Sequence, residues 1–229
     1  MSTNFFAEAC HEYKYLREKG YPEKATLKLV GDKHRLTRVQ RNSMFRGIVI
    51  AELAEPRQRK IIPPAEVPGS SLGIDWYNVL ITVESYLRGS PIFICEDGIV
   101  RDASATHGSY RSSELTAKAL LKIVHELTIM APSRIDVFLD APIAFSGLMA
   151  VEIRQRLDTL PCPAHVSLAH SADYPLKAYD GIVATSDSVI LDCAPRVLDL
   201  PRRVLDHGFQ FIPPALRDLF PSSPSVPSR

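Results

Sequence analysis

The hydrophobic positions of this 229-residue chain change their period near residue 70. Before it they recur at helical spacing. Phe5, Phe6, Ala9, Tyr13 and Leu16 line one face, and Gly20 stands where a helix C-terminus favours a left-handed residue. Pro22 opens a second helix through Val30, in the first-turn position where its missing N–H costs nothing, and Gly31 closes it. Thr37 and Gln40 match a T-x-x-Q capping box, so a third helix begins there and continues through Val39, Met44 and Phe45. The stretch EPRQRKIIPPAEVPGSS (55–71) has four prolines and no periodicity, and reads as a linker or surface strap.

From residue 72 onward short apolar runs alternate with helical patterns. LGID (72–75) is a strand, and Asn78 to Arg88 places Val79, Leu80, Val83 and Leu87 on one helical face. PIFIC (91–95) and GIVRD (98–102) predict a hairpin turning at Glu96-Asp97-Gly98. Ser112 caps a helix to Met130, RIDVFLD (134–140) is a strand, and Gly147 to Leu160 is a helix burying Leu148, Val151, Leu157 and Leu160. HVSLA (165–169) and GIVATS (181–186) are further strands, and SDSVILDCA turns into a short helix. Strands this apolar have no wet face, which predicts an α/β fold: a mainly parallel sheet sandwiched by helices, preceded by a small all-α unit. The expected division is a basic helical domain (1–54), a Pro-rich linker (55–71), an α/β domain (72–220) and a disordered Pro/Ser-rich tail, PSSPSVPSR (221–229).

Charge sharpens this division. The formal net charge is +1, yet residues 1–60 carry 13 basic and 7 acidic side chains, leaving 14 basic and 19 acidic for the remainder. A basic unit joined to an acidic one points to an anionic partner for the first. Lys33, Arg35, Arg38, Arg41 and Arg46 cluster around the third helix and form the candidate phosphate-binding patch. A solvated helix face docking on the acidic core is the alternative. No apolar run approaches the ~20 residues of a membrane span, and Met1–His11 lacks the basic start and apolar core of a secretory signal, so a cytoplasmic protein is expected. The four cysteines are isolated from one another, which fits buried thiols in a reducing compartment.

Open parallel sheets bind ligands at the carboxyl ends of their strands. Asp75, Asp140 and Asp187 end three separate strands there, and Asp173, in the loop HSADYPLKAYD, can reach the same edge. Gathered carboxylates repel, by roughly 1–4 kcal/mol per pair at effective dielectrics between 80 and 20, so a cation should compensate. Oxygen-only donors favour Mg²⁺ or Mn²⁺, and such an ion supports phosphodiester hydrolysis. Each aspartate could instead be a helix N-cap. Asn78 either orients Asp75 or a water, or caps the helix it begins, the cap being the plainer reading. Glu84 is placed toward solvent, and Asp97 and Asp102 in turn and surface roles. His165 and His170 read as structural or solvated. The absence of GxxxxGK[ST], GxGxxG and GxSxG leaves nucleoside triphosphate, dinucleotide and serine-hydrolase chemistry without local support.

The strings GIDWYNVLITVES, VFLDAPIAFSG, HSADYPLKAYD and GIVATSD, in that order, resemble the nuclease core of the PIN-like superfamily, especially its NYN branch. The resemblance covers roughly residues 70–195 and implies an active site of Asp75, Asn78, Asp140, Asp173 and Asp187. Trp76 departs from the small residue usual at its position. The string YLREKGYPEKATLKLVGDKHRLTRVQRNSMFRG resembles a small helical prokaryotic domain of unknown function that often precedes such a core. The expectation is a metal-dependent ribonuclease whose strand-end aspartates bind Mg²⁺ or Mn²⁺ and whose basic unit grips RNA. The alternatives are a non-catalytic RNA-binding or adaptor protein, or a phosphohydrolase of small molecules.

Overall fold

The computed structural model describes residues 5–104 and 110–220; the tail expected to be disordered lies outside them. The N-terminal unit has four helices, α1 (Phe5–Glu18), α2 (Glu23–Lys33), α3 (Arg38–Gly47) and α4 (Ala51–Gln58). Thr37 and Gln40 form the predicted capping box reciprocally. Pro22 is the N-cap of α2 and not its first residue. That helix also runs through Gly31, which does not close it; the missing side chain there makes room for the guanidinium of Arg41. The supposed linker folds in part. Residues 55–58 complete α4, and Ile61 bridges to Val197 as a short parallel extension of the sheet.

The main sheet contains β1 (Ser71–Asp75), β4 (Arg134–Asp140), β5 (Ala164–Ala169), β6 (Ile182–Ala184) and β7 (Arg196–Leu198), with β2 (Ile92–Ile94) and β3 (Val100–Asp102) forming a separate antiparallel hairpin. Its order is β5-β4-β1-β6-β7, and every pairing is parallel. The chain leaves β1 toward β4 and β5, then returns to the other side for β6 and β7. The order therefore reverses between β1 and β6, the place where open sheets form a ligand crevice.

Helices cover both faces. Along β6 and β7, Ile182, Ala184 and Leu198 enter one core, and Val183 and Val197 enter the other, as the two-residue period requires. The first core holds α5 (Trp76–Leu87), α6 (Glu114–Met130), α7 (Ser146–Leu157) and α10 (Leu200–Phe209). The second holds α8 (Asp173–Lys177) and α9 (Ser188–Cys193). Each fully buried Leu or Ile, such as Leu120 and Ile123, contributes about 1.5–3 kcal/mol to these cores.

Several predicted faces are corrected. Ser113, not Ser112, caps α6. In α7 the buried set is Met149, Ala150, Ile153 and Leu157, while Leu148 and Val151 are exposed. α5 is buried on all sides from Trp76 to Ser85, so Glu84 does not face solvent; it accepts a hydrogen bond from the Tyr110 hydroxyl at 2.7 Å.

The hairpin joins the two units. Phe93 and Cys95 enter the core of the N-terminal helices together with Leu216, whereas Ile92 and Val100 pack on Leu205 of α10. Both faces of this small ribbon are thus covered. Gly47 lets the contact close, because a Cβ there would stand 2.7 Å from Leu216 and 2.9 Å from Phe93. The N-terminal helices therefore share one hydrophobic core with the hairpin and the C-terminal segment. Among the described residues no helix is long and apolar enough to cross a membrane.

Candidate functional site

Register places the strand-end aspartates before any side chain is considered. Asp75 pairs with Phe138, so Asp140 lies two residues further along β4, on one side of β1. Ile74 pairs with Ala184, which sets Thr185 level with Asp75 and Asp187 two residues beyond it on the other side. The three carboxylates consequently flank the point where the strand order reverses.

Asp75 is buried, with 1 % of its surface exposed. Its Oδ2 accepts hydrogen bonds from Asn78 Nδ2 at 2.5 Å and Thr185 Oγ1 at 2.7 Å. Asn78 is thus not the cap of its helix. Asp75 occupies the cap position of α5 without bonding its backbone, and Asn78 turns back to hold Asp75. Burial pushes the Asp75 carboxyl up to about 7, against the pull of Thr185 and Asn78, and the charges of Asp140 and Asp187 push the same way. These two carboxylates are near enough for Asp75 to sense both.

The neighbours are held in a similar manner. Asp140 Oδ1 accepts the backbone N–H of Ala172 at 2.9 Å. Asp187 Oδ1 caps α9, accepting from Val189 N at 2.8 Å and Ile190 N at 3.2 Å, while its own N–H donates to Thr185 Oγ1 at 3.0 Å. In each of the three aspartates one oxygen is fixed by hydrogen bonds, and the second accepts none among the described residues. Among those residues no three His, Cys, Asp or Glu side chains form a ready-made metal cluster. The donor chemistry nonetheless suits a hard ion that keeps much of its water shell and takes one or two carboxylates directly. Asp173 starts α8 beside Ala172, whose N–H bonds Asp140, and its carboxylate lies 3.8 Å from Lys177 Nζ.

A cleft of about 700 Å³ leads from this edge to the N-terminal helices, with Asn78, Ser186 and Asp187 on one wall and Asn42, Phe45 and Arg46 of α3 on the other. The predicted basic patch divides around it. Arg46 lines the cleft and donates to Ser104 O at 2.7 Å. Lys33 is paired with Glu12, and Arg41 with Asp32, both at close range. Arg35 and Arg38 are exposed and have no ion-pair partner among the described residues. Arg38 lies four and seven residues before Asn42 and Phe45, hence on the helix face that looks into the cleft.

Three contributors escaped the sequence reading. Thr185 follows an apolar strand and has a detectable signal only in its level register with Asp75. Arg57 and Arg101 line the cleft and meet at Asp97. Asp97 and Asp102, assigned to turn and surface roles, are both buried, at 0 % and 1 % exposure. Asp97 pairs with Arg57, 40 residues away, and with Arg101, four residues on across the hairpin, while Asp102 pairs with Arg46 of α3 at 3.6 Å; the distant partners are what the sequence did not announce.

Fold and site together define a five-stranded parallel α/β protein with an acidic edge at its switch point and a helical unit overhanging that edge. The chain belongs to the family described as "Domain of unknown function (DUF5616)", whose model matches residues 64–203. Residues 5–60 match a second family, "Protein of unknown function (DUF434)". A protein of Methanocaldococcus jannaschii, "Uncharacterized protein MJ0935", is 32 % identical over 187 residues, covering 80 % of this chain and 88 % of its own. No solved structure matches the chain significantly.

Proposed function

We propose that the chain is a Mg²⁺- or Mn²⁺-dependent nuclease acting on RNA, a cytoplasmic enzyme with a PIN-like core of the NYN kind. The observation that carries this reading is the state of the three switch-point aspartates: each is oriented through one oxygen, and among the described residues the other has no hydrogen-bond donor. Asp75, Asp140 and Asp187 would hold the ion directly or through water. When bound, it lowers the pKa of a bound water and offsets negative charge developing on a phosphodiester. Asn78 and Thr185 keep Asp75 in its rotamer, and Asp173 stands beside the Asp140 loop as an assisting group. The cleft gives RNA a path along α3, where Arg46 lines it and Arg38, at the start of that helix, has no ion-pair partner among the described residues.

The test is cleavage of single-stranded and structured RNA with Mn²⁺ by the wild type and by Asp75→Asn. Turnover should fall at least a hundredfold in the variant. Undiminished cleavage would remove the mechanism. RNA affinity without turnover would favour a binding or adaptor protein, and hydrolysis confined to nucleotides or phosphomonoesters a small-molecule phosphohydrolase.

A further inference from the structure

We propose that Arg101 and Arg57 are positioning residues for the acidic edge, fastening the hairpin and the last N-terminal helix onto the 185–188 loop that carries Thr185 and Asp187. This rests on the nuclease reading for its activity readout, though not for its geometry. Arg101 forks onto Asp97, Nη1 to Oδ1 and Nη2 to Oδ2 at 2.8 Å each, and its Nε donates to Ser186 O at 2.9 Å. Ser186 sits between the residue that bonds Asp75 and the residue that caps α9. Arg57 reaches Asp97 from α4 at 3.1 Å and also clasps Asp192 of α9, through Nε at 2.7 Å and Nη2 at 3.0 Å. Lys60 completes the hold, donating to Leu191 O at 2.9 Å and Asp192 O at 2.8 Å at the far end of α9.

A helix of six residues has little stability of its own. α9 therefore takes its place from what grips it, and the grip comes from outside the main sheet. Burying two guanidinium groups with a carboxylate is a poor way to gain stability, since an apolar cluster of similar volume does as well or better. What this forked arrangement supplies is a fixed relative position. It ties residues 57, 97, 101 and 186–192 into one unit, so that the oxygen left open on Asp187 keeps its place relative to Asp75. The two family-defined parts of the chain thereby complete one site.

The experiment uses the full chain carrying Arg101→Lys. Lysine keeps a positive charge beside Asp97 but cannot fork onto that carboxylate and reach Ser186 O together. Steady-state cleavage of RNA with Mn²⁺ gives kcat and KM separately, and amide hydrogen exchange reports the loop. The result expected is a kcat at least tenfold lower with KM within twofold, and faster exchange at Asp187, Val189 and Ile190 but not in β4 or β5. Wild-type kcat per folded molecule together with unchanged exchange at those three amides would overturn the proposal. Should Arg101→Lys fail to fold, Arg57→Lys is judged by the same two readouts. If the wild type cleaves no RNA, the nuclease reading fails, and exchange at the three amides alone decides the positioning role.

Discussion

Asp75 and Asp97 are both buried aspartates bonded to residues that line one cleft, and their surroundings drive them in opposite directions. Burial raises the pKa of each. At Asp97 two guanidinium groups outweigh it, and the carboxyl stays below its ordinary value. At Asp75 the hydrogen-bond partners among the described residues are neutral, Asn78 and Thr185, with further carboxylates nearby, and the group rises to about 7. Burial alone therefore does not set the state of an aspartate; what distinguishes these two is whether the fold supplies the compensating cation. Asp97 has its cations built in. Asp75, Asp140 and Asp187 leave that role open.

The largest expected effect breaks the paired side of this contrast. Asp97→Ala strands Arg101 and Arg57 without their shared carboxylate, and urea denaturation should show a loss of about 3–5 kcal/mol. On the other side, Asp75→Asn should stabilise the metal-free protein. The folded pKa of Asp75 lies above its unfolded value, so the folded state holds the proton more tightly; stability is complete below about pH 4 and declines as the pH rises toward 7. Removing the charge should recover up to about 4 kcal/mol at pH 8 and almost nothing at pH 4, measured by denaturation at the two pH values. A variant no more stable than the wild type at pH 8 would mean that Asp75 is already compensated.

The same contrast explains what could be read in the sequence. Asp75, Asp140 and Asp187 follow short apolar runs, and chain order plus the rule for parallel sheets was enough to send them to one edge. The strands β1, β4, β5 and β6 were legible for the same reason. β7 and α10 were not, because nothing local marks RVL as a strand and its role depends on pairing with β6. The exposed Leu148 and Val151 show the limit of helical periodicity: two faces of α7 are apolar, and only packing chooses between them. In the Arg57–Asp97–Arg101 cluster only Asp97 and Arg101 are close in sequence, four residues apart in a hairpin; Arg57 lies 40 residues from Asp97 and 135 from Asp192, and nothing local announces it.

The smallest effect concerns the basic patch, where the sequence grouped residues that the fold separates. Arg38→Ala should leave stability within about 0.5 kcal/mol of the wild type and lower the slope of log affinity for RNA against log salt by about 1. Arg41→Ala should do the reverse, slightly lowering stability through the loss of its pair with Asp32 and leaving the salt slope in place. Equal salt effects from both would show that the patch acts as a whole.

The central claim is that the edge beside Asp75 holds a divalent cation that the chain itself does not provide. Anomalous diffraction from crystals grown with Mn²⁺ tests it most directly. The account predicts a peak at the open oxygen of Asp75 with Asp140 or Asp187 in its coordination shell, absent from Asp75→Asn. A wild-type map with no peak at that edge would contradict it.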